Sequence, residues 1–194
     1  MVRQAHHERI KPTAARPESF DFAQECLVEG QNQQVSKPVL VFGYGNLSRG
    51  DDALGPLLLE YVENNVDLKY IELLTDFQLQ IEHALDLENR QLVLFVDASV
   101  ACHNAFDLSE LSPVRDNSYS THAMSPAAVL AVYQDIKKHT PPPCFLLSIQ
   151  GESFELGEGL SANAKENLAQ ACRFADQLLQ AIDVNKWREL ASYA

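Results

Sequence analysis

The run Val39-Leu-Val-Phe-Gly-Tyr-Gly-Asn-Leu-Ser-Arg-Gly-Asp-Asp-Ala-Leu-Gly-Pro56 restricts what this chain can fold into more than any other stretch. Val39 to Phe42 is an unbroken apolar run rich in β-branched and aromatic residues, which predicts a strand covered on both faces. Gly43 and Gly45 permit backbone angles that a Cβ resists, and so predict a tight turn. Leu54, Leu57, Leu58, Tyr61 and Val62 then recur at helical spacing, with Pro56 tolerated in the first turn. A strand, a glycine turn and a helix place Asp51 and Asp52 at the carboxyl end of a first strand, where open α/β sheets hold their ligands.

Two other readings of this run compete with a site role. The spacing approaches the dinucleotide fingerprint Gly-x-Gly-x-x-Gly, but Ser48 stands at the third glycine position and two carboxylates follow where a pyrophosphate needs backbone donors. Asp51 or Asp52 can also serve as a helix cap, accepting free N–H groups at the positive end of the helix dipole. One carboxylate suffices for capping, which leaves Asp52 as the candidate site residue.

With 194 residues the chain suits one domain with a substantial core. Residues 1–37 carry Pro12, Pro17 and many polar residues with weak apolar patterning, and read as an extended or disordered arm. Residues 38–183 read as the single domain and 184–194 as a C-terminal tail. No apolar run reaches bilayer-spanning length and the N-terminus lacks an apolar signal core, so a cytoplasmic protein with no membrane partner is expected. Fifteen basic and 27 acidic residues give a net charge of −12, which disfavours nucleic acid as a partner. Cys26, Cys102, Cys144 and Cys172 contain no Cys-x-x-Cys pair, which predicts free thiols and neither a zinc clip nor a disulfide framework.

Further along, Lys69 to Leu74 reads as a second strand and Thr75 to Leu87 as a short helix, with His83 packed on or beside its apolar face. Gln91 to Asp97 is a third strand that ends abruptly in a carboxylate. Burying that carboxylate is costly unless it is paired or bound to a metal, so Asp97 is either a site residue or the cap of the next loop. Ser99 to Ser120 reads as a long irregular loop from which a further strand could come. Ser125 and Pro126 are an N-cap and first-turn residue for a helix through Val129, Val132, Tyr133 and Ile136, with His122 just before it. Cys144 to Ile149 reads as another strand, and Ser161 opens a helix with a stripe at Leu168, Ala171, Cys172, Ala175, Leu178, Leu179 and Ile182.

This alternation predicts an α/β fold: three layers, with a mostly parallel twisted sheet and helices on both faces. Such a sheet brings Asp52 and Asp97 to one edge, where His122 can join them from the adjoining loop. Two carboxylates and an imidazole are a ligand set for a borderline divalent ion such as Ni²⁺ or Zn²⁺. The chain contains no Gly-x-Ser-x-Gly elbow and no His-Glu-x-x-His, which argues against a serine hydrolase or an ordinary zinc peptidase. An aspartate pair working as acid and base is the fallback.

Gly43-Tyr-Gly-Asn46 followed by Asp51-Asp52 and Gly55 resembles the opening motif of the hydrogenase maturation endopeptidases, which trim the C-terminal extension of a nickel-iron hydrogenase large subunit. Leu94 to Ala98 resembles that family's strand ending in aspartate, Ser120 to Met124 its histidine segment, and Gly151 through Ser161 its C-terminal loop. The resemblance implies a phosphorylase/hydrolase-like α/β fold and an endopeptidase, of the aspartyl type by family usage, acting on the large-subunit precursor after nickel insertion. It implies that Asp52, Asp97 and His122 are the metal-contacting and catalytic residues. The nickel belongs to the substrate, so no cofactor of the enzyme's own is expected. Thr75 to Gln80 departs from the family's glycine-rich turn and, with Glu82 to Leu87, is similar to the branch serving soluble, NAD-coupled hydrogenases. The alternative, from another class, is a Rossmann-like nucleotide- or metal-binding module without peptidase activity.

Overall fold

The computed structural model describes residues 36–115 and 124–192. Five strands form one sheet: β1 (Val39–Tyr44), β2 (Ile71–Asp76), β3 (Leu92–Ser99), β4 (Phe106–Glu110) and β5 (Cys144–Gln150). Their spatial order is β2-β1-β3-β5-β4. The first four strands in that order run parallel, and β4 closes the edge antiparallel to β5. Every residue of β1 is buried, as its unbroken apolar run requires of a strand flanked by neighbours and covered on both faces.

Alternation of side chains along the strands divides the core in two. Val39, Val41, Leu94, Val96, Phe145 and Leu147 face α1 (Leu54–Asn65), α3 (Ala162–Gln180) and α4 (Val184–Ala191). Leu40, Phe42, Tyr44, Val93 and Phe95 face α2 (Pro126–Lys137) and a 3-10 helix at Ile81–Leu87. This is the three-layer α/β architecture expected from the sequence. Gly55 lets α1 lie directly on the sheet: a Cβ there would stand 2.6 Å from the Tyr44 carbonyl oxygen and 2.7 Å from that of Val96.

Four local expectations change. Thr75 and Asp76 belong to β2 rather than to a helix, and the following turn is a 3-10 helix with Ile81 and Leu85 exposed, so its apolar spacing is not a buried stripe. The loop after β3 contributes β4, whose half-polar sequence suits an edge strand. Ile182 falls outside α3 and keeps 37% of its surface exposed. Residues 184–194, read as a tail, contain α4, capped by Asp183 and anchored by a fully buried Trp187. Cys102, Cys144 and Cys172 are buried free thiols, and Cys26 lies outside the described residues. No helix among the described residues is long and apolar enough to cross a membrane.

Candidate active site

The turn after β1 is shaped by Gly45, at φ +137°, where an added Cβ would lie 1.9 Å from the carbonyl oxygen of Asp52. Only glycine lets the chain double back so closely. The turn then places Asp51 and Asp52 in a single 3-10 turn, Gly50–Ala53, that leads into α1.

The two carboxylates have different work. Asp51 is fully buried. Its Oδ2 accepts from the Glu152 and Ser153 backbone N–H groups (2.8 and 3.0 Å) and from the Ser161 hydroxyl (2.9 Å), and its Oδ1 from the Ser161 N–H (2.7 Å). Desolvation pushes its pKa up, but the four donors outweigh it and hold the carboxyl below its ordinary value. Asp51 therefore fastens the loop after β5 and the capped start of α3 to the first turn. It does not cap its own helix. Asp52 is half-buried, and its Oδ2 accepts from the Asn46 N–H at 3.0 Å, the one hydrogen bond its side chain makes among the described residues.

Asp97 stands near the carboxyl end of β3, which does not stop at this carboxylate as the sequence predicts but runs on to Ser99, and it is in register with Ser148 of β5. Burial drives its pKa up to about 6, the charge of Asp52 pushes the same way, and hydrogen bonds from the Tyr44 hydroxyl and the Ala98 N–H hold it back. Asp52 and Asp97 are thus electrostatic neighbours at one sheet edge. The Tyr44 hydroxyl is itself held well above its ordinary pKa, chiefly by burial and then by Asp97, so at neutral pH it is a donor. His122, the third candidate, lies outside the described residues. Among the described residues, no three His, Cys, Asp or Glu side chains are gathered closely enough to hold a metal ion. Asp52 and Asp97 are two oxygen donors at one sheet edge, the kind of ligand a hard or borderline divalent ion accepts.

Sequence reasoning missed three contributors. Tyr44 carried one signal, a large aromatic between two turn glycines. Asp51 is legible only as a possible helix cap, because its actual partners lie more than a hundred positions downstream. His83, read as ordinary packing, does stand edge-on to Phe42 with 4.8 Å between ring centres, but it also pairs with Asp76. Its Nδ1 accepts from the Gln80 N–H at 2.9 Å, and its Nε2 lies 3.4 Å from Asp76 Oδ2.

No protein-family profile and no curated protein matches the chain. Solved structures do. The nickel-iron hydrogenase maturation protease HycI of Thermococcus kodakarensis KOD1 is 22% identical, with a TM-score of 0.58 over 75% of this chain and 94% of that one. The hydrogenase maturating endopeptidase HybD of E. coli is 25% identical, with a TM-score of 0.58 over 73% and 91%. The hydrogenase 2 maturation peptidase of Thaumarchaeota archaeon SCGC_AB-539-E09 is 21% identical, with a TM-score of 0.54 over 74% and 98%. The fold is shared with hydrogenase maturation proteases. Each of these likenesses spans nearly the whole of the other chain, so the resemblance is to a complete domain and not to one βαβ unit.

Proposed function

We propose that this protein is an endopeptidase that removes the C-terminal extension of a nickel-iron hydrogenase large-subunit precursor after nickel has been inserted. The observation that carries the reading is that β1 and β3 are neighbouring parallel strands, so that Asp52, in the turn after β1, and Asp97, near the end of β3, stand at the same edge of a sheet whose fold is shared with hydrogenase maturation proteases. Asp52, Asp97 and His122 contact the nickel of the substrate, and the enzyme brings no metal of its own. A divalent ion held there signals a filled precursor and polarises the scissile carbonyl as a Lewis acid. The reaction takes place in the cytoplasm. The segment Thr75 to Leu87 supports assignment to the branch serving soluble, NAD-coupled hydrogenases.

The nucleotide-binding alternative has weaker support. The Asn46 N–H in the glycine turn is already engaged by Asp52, so a phosphate there would meet a carboxylate instead of a free donor.

The test is cleavage of a nickel-loaded large-subunit precursor beside the nickel-free precursor, with wild-type protein and with Asp97→Ala. Cleavage confined to the loaded precursor and lost at least a hundredfold in the variant is expected. Equal cleavage of both precursors, or full activity of Asp97→Ala, would remove the metal-sensing role.

A further inference from the structure

Next to the glycine turn is a pocket of about 340 Å³ lined by Gly45, Leu47, Pro56, Thr75, Asp76 and Phe77. Its walls are mostly apolar, with Leu47 and Phe77 largely exposed, and Asp76 is the one carboxylate among those residues. Asp76 is fixed from two sides. Its Oδ1 accepts from the Phe77 N–H at 2.6 Å, and its Oδ2 lies 3.4 Å from Nε2 of His83. The Asp76 side chain nevertheless keeps about a third of its surface open, at 34%. Among the described residues His83 is the only basic side chain paired with it, and a histidine is charged only when protonated. Among the described residues no lysine or arginine pairs with this carboxylate.

The pocket adjoins the candidate site. Gly45 lines it and packs against Asp52, and its N–H donates to the Asp76 carbonyl oxygen at 3.0 Å. Asp76 is the register partner of Tyr44 on β1, and β3, which carries Asp97, is the next strand. Strands lie about 4.8 Å apart, so the pocket wall is roughly 10 Å from the Asp97 strand, about three residues of an extended peptide.

We infer that this pocket is a specificity subsite, and that it takes a cationic side chain of the substrate within about three residues of the cleaved bond. An open, mostly apolar pocket with one carboxylate complements a lysine or arginine, whose methylene stem packs while its head pairs. Asp76 is the specificity-determining residue, and His83 is the positioning residue that orients it. The inference rests on the peptidase reading given above.

The experiment uses nickel-loaded precursor in which each residue within three positions of the cut is replaced in turn by Lys, Glu or Leu. At one position wild-type protein should prefer Lys to Glu by about tenfold or more in kcat/KM, mostly through KM. Asp76→Asn should flatten the preference and Asp76→Lys should invert it. His83→Asn should raise KM for the Lys substrate several-fold and leave kcat and the nickel requirement unchanged. Circular dichroism confirms that each variant is folded, and Asp76→Asn, which keeps an acceptor for the Phe77 N–H, guards against misfolding of the Lys variant. A charge preference that Asp76 substitutions do not move, or none at any position, overturns the subsite while leaving the peptidase intact. Failure of wild-type protein to cleave any loaded precursor overturns both.

Discussion

Asp51 and Asp52 are adjacent in sequence and opposite in use. Removing the Asp51 carboxylate strands three backbone N–H groups and the Ser161 hydroxyl at a buried junction between the first turn, the loop after β5 and α3. A buried donor left without an acceptor costs about 1–3 kcal/mol, and partial relaxation keeps the sum below full additivity. Asp51→Ala is therefore expected to lose about 3–5 kcal/mol in urea unfolding. Asp52→Ala gives up one hydrogen bond, from a half-buried group, and should lose only about 1 kcal/mol while abolishing precursor cleavage. The pair separates architecture from chemistry. Similar stability losses in the two variants, or retained cleavage in Asp52→Ala, would contradict the division of labour.

At the scale of elements, α4 shows how a short helix secures a sheet edge. Trp187 is fully buried, meets Phe145 of β5 edge-on with 5.3 Å between ring centres, and donates its indole N–H to the Leu178 and Ala181 carbonyls at the end of α3. Arg188 adds a two-pronged pair to Glu110 of β4, but that pair is exposed and contributes little. Trp187→Ala should cost about 3–5 kcal/mol, and Arg188→Ala under about 1 kcal/mol, both measured by chemical denaturation. A Trp187 variant as stable as wild type would make α4 an ornament. The elements legible in the sequence were those with one dominant physical cause. Strands β1, β3 and β5 showed as apolar runs because they are covered on both faces, and α2 and α3 showed through serine caps whose side chains do accept from Ala128 and Ala164. Strand β4 was hard to read because an edge strand buries few of its residues. Helix α4 was overlooked although Asp183 followed by Val184, Trp187 and Leu190 carries a cap and an apolar stripe. Of the candidate site, Asp52 and Asp97 were readable because each breaks a local rule, a second acid at one helix start and a carboxylate ending a buried strand. The contacts of Tyr44, Asp51 and Asp76 depend on which strands lie side by side, and no local pattern encodes that.

For the whole molecule, the same aspartates give the stability curve opposing slopes. Asp51 has a depressed pKa in the fold, so its contribution is present above the ordinary carboxylate pKa and is lost as pH falls below it. Asp97 has a raised pKa, so the fold favours its protonated form. Stability it contributes is full below the unfolded value of 3.8 and is lost as pH rises through about 6. A shift of about two units corresponds to about 2–3 kcal/mol, which the folded protein forgoes at neutral pH to keep Asp97 ionised. An ionised Asp97 is the form that can ligate a divalent cation, so the cost is borne where the proposed activity needs it. Asp97→Asn removes the titration and keeps the shape. Its stability relative to wild type should climb by about 2–3 kcal/mol between pH 4 and pH 7, with most of the change from pH 4 to 6, because all other titrating groups are common to both proteins. Urea unfolding of the two proteins across that range reads the difference directly, and parallel curves would mean that Asp97 is solvated well enough to ionise without cost. The wild-type cleavage rate should fall on the acid side as Asp97 takes up its proton near pH 6 in the free enzyme, over the same interval in which its fold becomes relatively more secure.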